Sequence, residues 1–208
     1  MLEKLKTISQ DVSGEITQKK SKFIANVFYI ETAEEAEDKI KELKKKYHDA
    51  RHNCYAYIVL NKENNVIEKC SDDGEPSGTA GAPILTILKG MELCNVLVVV
   101  TRYFGGILLG TGGLVRAYSD ATTIALGKAS FKIREKGKKV RILVSYQDAK
   151  PLKYYARKNG INILKEEYSE NVEFFIEITN QEYEKLEKQI DNLLLKVIKL
   201  DKMEEKYI

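Results

Sequence analysis

Three carboxylates, Asp72, Asp73 and Glu75, stand within four residues of one another in the segment SDDGEPSGTAGAP that runs from Ser71 to Pro83. Like charges this close repel, raise one another's pKa, or are held by a cation or an arginine. Magnesium wants oxygen ligands and keeps several waters, so two or three carboxylates suit it, and it is the only cofactor these residues suggest. The EF-hand pattern fails, because no acidic or amide ligand falls at its third position. The other readings are a solvated turn, or a turn salt-bridged to Arg102 or Arg116.

A second constellation favours anions. Val96–Val100 ends in Thr101, Arg102 and Tyr103, then Gly105 and Gly106; Gly110, Thr111, Gly112 and Gly113 open a helical pattern that contains Arg116. Unpaired N–H groups and the positive end of the macrodipole meet at such a helix start. This is a plausible anion site. Gly105 and Gly110 have P-loop spacing, but Thr111 and Gly112 replace its Lys and Ser/Thr, and no third Gly completes the dinucleotide fingerprint. The competing reading is that the glycines serve tight turns and close packing. Arg51 and His52 stand ahead of the acidic loop, where the His is either a hydrogen-bonded structural residue or part of the site.

Further along, Lys150, Lys153 and Arg157 share one helical face beside Tyr154, while Leu152 and Tyr155 face inward. Cations beside an aromatic can grip a phosphate backbone and stack a base; a solvated lysine-rich face is the plainer alternative. Lys19, Lys20 and Lys22 read as a solvated strand edge that discourages aggregation, or as ligand contacts.

These residues need elements to position them. Val96–Val100, short and β-branched, reads as a central strand buried on both faces. Leu114, Ala117, Tyr118, Ala121 and Ala125 mark the buried face of the helix that follows. Leu5–Ile16 and Phe23–Ile30 fit a hairpin at a sheet edge. Thr32 and Glu35 form a capping box for a helix with Ala36, Ile40, Leu43 and Tyr47 on one face. Cys54–Leu60 is a strand, residues 61–65 a turn, Val66–Cys70 its hairpin partner, and Pro83 opens a helix carrying Ile84, Ile87, Leu88 and Met91. KIREKGKKVR, from Lys132 to Arg141, carries six basic residues and one acidic one, and its shift in composition marks a linker or edge strand at a domain boundary. Then come strand Val140–Tyr146, helix Ala149–Asn159, strands Ile161–Tyr168 and Val172–Thr179, helix Gln181–Asn192 and strand Lys196–Leu200. That is the ferredoxin-like βαββαβ order.

The whole chain sets bounds on function. Its 208 residues are 43% hydrophobic and 31% charged, with three prolines, which excludes a disordered or fibrous protein. With 34 Lys and Arg against 31 Asp and Glu, no global basic field exists, and any nucleic-acid contact must be local. Cys54, Cys70 and Cys94 lack metal-ligand spacing and read as buried thiols of a reducing compartment. No apolar run approaches the roughly 18 residues of a membrane span, and no signal-like segment opens the chain. A cytoplasmic protein without membrane contact is expected.

VVVTRYFGGILLGTGGLVRAYSDA, with RHNCYAYI and SDDGEPSGTAGAPIL upstream, resembles the IMPACT family, whose bacterial members are called YigZ. The three motifs stand in family order over about residues 18 to 126. The resemblance implies an α+β protein of two domains. The first, at 1–135, is an α/β sandwich similar to the second domain of a small-subunit ribosomal protein and to domain four of elongation factor G. The second, at 136–208, is a ferredoxin-like domain that resembles that factor's domain five. It also implies a translation-linked role, since eukaryotic relatives regulate the amino-acid-starvation kinase. The resulting expectation is a non-catalytic protein that binds the ribosome, RNA or a translation-associated protein. Arg102, Arg116, Gly105, Gly106, Thr111, Gly112, Gly113, Arg51 and His52 would hold phosphate, with Lys150, Lys153 and Arg157 extending the surface. The alternative is a phosphate-handling enzyme that binds a nucleotide or phosphorylated small molecule, with Asp72, Asp73 and Glu75 on magnesium.

Overall fold

The computed structural model describes residues 4–61, 63, 65–192 and 194–208, and the chain divides into two compact units, 1–133 and 134–208. Positions 62 and 64 of the expected turn, and residues 1–3, lie outside the described residues.

The first unit is built on an antiparallel sheet in the order β2-β3-β6-β4-β5. Its strands are β2 (Val12–Gln18), β3 (Ser21–Tyr29), β4 (His52–Leu60), β5 (Val66–Ser71) and β6 (Val96–Tyr103). β6 lies in the middle, as its run of valines demands, and Val96 through Val100 are fully buried. On one face α1 (Ala33–Lys46) sets Ala36, Ile40 and Leu43 against Tyr55, Tyr57, Val59, Leu97 and Val99. α2 (Gly81–Gly90) packs on β4, and α3 (Thr111–Leu126) packs on β2, β3 and α2. The face of α3 expected from its spacing, Leu114 through Ala125, is buried.

Three local details depart from expectation, the first being that Cys70, on β5, is exposed rather than buried. The Thr32 side chain caps the Glu35 N–H at 3.1 Å, but the Glu35 carboxylate accepts from the Glu31 N–H at 2.6 Å, so the reciprocal half of the capping box moves back one residue. The hairpin at the sheet edge is β2 with β3 alone. β1 (Lys4–Ile8) pairs instead with β7 (Phe131–Val144), whose first residues belong to this unit.

The second unit runs β7, α4 (Tyr146–Lys158), β8 (Asn162–Tyr168), β9 (Val172–Thr179), α5 (Asn180–Asp191) and β10 (Lys199–Tyr207). β7 pairs with both β10 and β9, and β9 with β8, all antiparallel, which gives the order β10-β7-β9-β8 of a ferredoxin-like βαββαβ sheet. Val140, Ile142, Val144, Phe174, Ile176 and Ile178 form its core with Leu152, Ala156, Tyr183 and Leu186. The basic segment 132–141 is therefore no linker or edge strand. It lies within the long β7, where Arg141 pairs with Glu173 at 2.5 Å and the flanking strands supply further carboxylates such as Asp201.

α4 begins three residues earlier than its apolar spacing suggests, because Ser145 caps the Asp148 N–H at 3.3 Å. The final strand is later and longer than expected. It is set by its pairing with β7 from Lys199 to Tyr207, a long-range register that its own mostly polar sequence does not display.

Candidate functional site

At the end of β6 the strand registers align His52 with Arg102 and Arg102 with Phe23. Residues directly opposite on neighbouring strands project to the same face, so the arginine comes out between a histidine and a phenylalanine beneath the acidic loop. Its Nη1 donates to Glu75 Oε1 at 2.6 Å, with side-chain exposures of 7% and 3% for Arg102 and Glu75. The guanidinium lies 5.5 Å from the Phe23 ring centroid and 5.6 Å from that of Phe104. The anion that Arg102 faces is thus a carboxylate of its own chain. Tyr118, from α3, donates to the same Glu75 oxygen at 2.9 Å and packs edge-on against Phe23. The Cys54 thiol reaches the Tyr118 hydroxyl at 3.2 Å and the Asp72 carbonyl at 2.9 Å.

In this buried network one carboxylate is held by a charged guanidinium and a neutral phenol. Burial pushes the Cys54 thiol well above its ordinary value, and the nearby charges of Glu75, Asp73 and Asp72 push it further. Burial likewise raises the Tyr118 phenol, with Cys54 and Glu75 contributing. Neither side chain is a nucleophile at neutral pH, since the reactive species of a cysteine is its thiolate.

The other two carboxylates of the loop are also engaged. Asp72 accepts from the backbone N–H groups of Gly78 (2.8 Å), Ala80 (2.9 Å) and Gly81 (2.8 Å), and so holds the start of α2. Burial works against its charge, but these three donors outweigh burial and hold its pKa below the ordinary value. Asp73 accepts from the Asn53 N–H at 2.7 Å and from Lys44 Nζ at 2.5 Å. Its carbonyl takes the Nδ1–H of His52 at 2.8 Å. Three carboxylates adjacent in sequence therefore point to three different sets of partners. Among the described residues no group of three or more His, Cys, Asp and Glu is arranged for a metal ion. The carboxylates do not fit a shared magnesium.

The glycine turn is shaped by close approach. A Cβ on Gly105 would stand 1.9 Å from the Lys20 carbonyl carbon, and the Gly105 N–H donates to Ser21 Oγ at 3.1 Å, which locks the loop to the tip of the β2–β3 hairpin. Lys19 and Lys20 form that tip with φ of 45° and 65°. Beyond it Phe104, Ile107 and Leu108 are exposed, Leu108 by 82%. Thr111, Gly112 and Gly113 form the first turn of α3, whose start at Gly110 has no side-chain cap. Arg116, in the second turn, and Arg51 are exposed. The expected anion-site residues of this unit thus separate into a buried pair and an exposed set.

In the second unit Lys150, Lys153, Tyr154 and Arg157 line one open groove of about 530 Å³ with Ile161 and Ile163. Lys153 is anchored there by Glu166 at 2.5 Å and the Tyr168 hydroxyl at 3.0 Å, contacts that raise its own pKa and lower that of Glu166. Among the described residues Lys150 and Arg157 have no ion-pair partner. Leu152 is buried and Tyr155 packs on the core, as their spacing predicts.

Comparison with known proteins adds a lineage. The Impact N-terminal domain matches residues 19–126, and a domain of unknown function, DUF1949, matches residues 142–194. The chain belongs to the IMPACT family. IMPACT family member YvyE of Bacillus subtilis is 39% identical over 174 residues, which span 84% of this chain and 79% of YvyE. The protein named IMPACT in Danio rerio is 37% identical over 114 residues, 53% of this chain and 35% of that one. A crystal structure described as that of a hypothetical protein superposes with a TM-score of 0.68 at 28% identity, covering 99% of this chain and all of the other. The Impact N-terminal match thus encloses the acidic loop, the Arg102–Glu75 pair and the glycine turn, while the groove of α4 falls within the DUF1949 match.

Two features of the site depend on tertiary contacts. Helical spacing marks Tyr118 as core, and only its contact with Glu75 gives its hydroxyl a role. Asp72 stands too far ahead of Gly81 for the N-cap spacing that a sequence displays, and only the folded loop brings it to the start of α2.

Proposed function

We propose that this protein is a translation-linked, non-catalytic regulator that binds RNA or a ribosomal surface through the cationic and aromatic face of α4. The observation that carries this reading is the pairing of two exposed cations lacking ion-pair partners among the described residues, Lys150 and Arg157, with the 66% exposed ring of Tyr154 around one groove. Cations of this kind meet phosphates, and an exposed ring can take a base. The link to translation follows from membership of the IMPACT family and what the resemblance implies for it. The same reading accounts for the amino-terminal unit, where the groups that catalysis would need are tied up internally: Cys54 and Tyr118 are buried and protonated, and the carboxylates hold their own backbone, Lys44 and Arg102. Arg116, Arg51, Lys19 and Lys20 provide that unit with an exposed basic set of its own.

The test is filter binding to ribosomal subunits and to a structured RNA across a salt series, for the native protein and for the Lys150→Ala/Arg157→Ala variant. Binding that weakens with salt and falls in the variant supports the proposal. Absence of binding at low salt rules out RNA and leaves a translation-associated protein as the partner.

A further inference from the structure

The α4 face carries more than charge. Tyr146, Lys150, Tyr154 and Arg157 follow one another at spacings of four, four and three residues, so aromatic and cationic groups alternate along one side of the helix. Four residues rise about 6 Å along a helix axis, comparable to the reach of one nucleotide in an extended strand. The rings are exposed rather than packed away: 56% for Tyr146, 66% for Tyr154 and 57% for Tyr168. Tyr146 and Tyr168 also lie together, with centroids 6.4 Å apart. Both are fixed in place. The Tyr146 hydroxyl donates to the Ser169 carbonyl at 2.6 Å, and the Tyr168 hydroxyl donates to Glu166 at 2.5 Å while accepting from Lys153 at 3.0 Å. Ile161 and Ile163 line the groove beside Tyr154.

We infer that the ligand of this face is single-stranded RNA, with a base stacked on Tyr154 over the isoleucines and neighbouring phosphates on Lys150 and Arg157. This rests on the RNA-binding reading above and narrows it. In an A-form duplex the bases are stacked on one another and the major groove is too narrow for side chains, so a duplex would meet only the two cations. A splayed strand can use the rings as well. The rings favour a nucleic acid over an acidic peptide as occupant, because flat exposed aromatic faces set between cations offer stacking that a base can use and a carboxylate side chain cannot. Tyr154 is the stacking ring and Lys153, tied to Glu166, is a positioning residue for Tyr168.

The experiment measures binding of the full chain to an oligouridylate strand and to a hairpin duplex of equal length, by RNA anisotropy and by quenching of tyrosine fluorescence. The chain has 12 tyrosines and no tryptophan, so the protein signal comes from tyrosine alone. The expected result is a preference for the single strand of about tenfold, lost in Tyr154→Ala and retained in Tyr154→Phe, with duplex binding the same in both variants. Tyr154 is mostly exposed, so these variants keep the fold, which far-UV circular dichroism verifies. Equal binding of both RNAs, with Tyr154→Ala neutral but Lys150→Ala/Arg157→Ala weakened, overturns the single-strand inference and leaves RNA binding standing. No binding of either RNA at low salt overturns both.

Discussion

Glu75 and Arg102 have exchanged water for each other, for Tyr118 and for two aromatic faces. A charge left alone in such a place is costly: removing one member of a buried pair destabilises by about 3–5 kcal/mol, whereas replacing both is far milder. We therefore expect Glu75→Gln and Arg102→Met each to lower the urea midpoint strongly, and the double variant to be more stable than the sum of the two losses predicts, a result that urea unfolding of all four proteins gives directly. Asp72 yields a pH-dependent test. Its folded pKa lies below the ordinary 3.8, so the stability it contributes is fully present above that value and is lost as pH falls through the lower folded value. Asp72→Asn should cost about 1–2 kcal/mol at neutral pH, the range of a lost helix cap, and the gap from the native protein should close in acid; a gap that stays constant down to pH 2 or so would deny the carboxylate this role. Because all three loop carboxylates already have partners, millimolar magnesium should leave the melting temperature unchanged, as a ligand that binds only the folded state would raise it. The crowding of Asp72, Asp73 and Glu75 was legible in the sequence as a problem that needed counter-charges or donors. The choice of Arg102 over Arg116 was not, since it depends on strands β4, β6 and β3 meeting in one register.

The glycine turn shows how one element fixes another. At Gly105 a methyl group would collide with the Lys20 backbone at 1.9 Å, and neither main chain can yield without parting the loop from the hairpin. Gly105→Ala should cost more than about 2 kcal/mol, a value expected where strain cannot relax. Gly112, in the first turn of α3, has nothing within 4 Å of the added carbon, so Gly112→Ala should stabilise by about 0.4–1 kcal/mol through the unfolded chain. Thermal melts of the two variants should therefore move in opposite directions. The sequence distinguishes strand, turn and helix here, because the periodicity of Val96–Val100 and of Leu114–Ala125 is strong, but it cannot separate a glycine that fills a contact from one that leaves space. The same limit explains the elements that moved. β10 carries Lys199 through Tyr207 with little apolar alternation and is recognisable only by its ladder with β7. The segment 132–141 looks like a solvated linker because the carboxylates that meet it lie far off in the sequence, as Glu173 and Asp201 do beside Arg141. Short-range signals such as Ser145 with Asp148, and Thr179 with Glu182 as a full capping box, were present in the sequence and would have placed the starts of α4 and α5 correctly.

The charge of the entire chain sets how its binding should respond to salt. With a net charge of only +3, there is no broad field to draw a polyanion in, and affinity must come from the few cations in contact. For single strands each neutralised phosphate contributes a slope of about −0.7 in log K against log salt, so Lys150 and Arg157 together predict a slope of about −1.4. Removing either charge should shift the slope by about 0.7, whereas Tyr154→Ala should lower affinity at every salt concentration and leave the slope where it was. A salt series on these three variants thus separates phosphate contact from stacking in a single measurement. A slope steeper than about −4 would require at least six phosphates, more than the two exposed cations of the α4 groove supply, and would show that cations outside this groove hold phosphate as well. A slope near zero in the native protein would mean that no phosphate is held at all, and that what docks on the exposed rings of this unit carries no backbone charge.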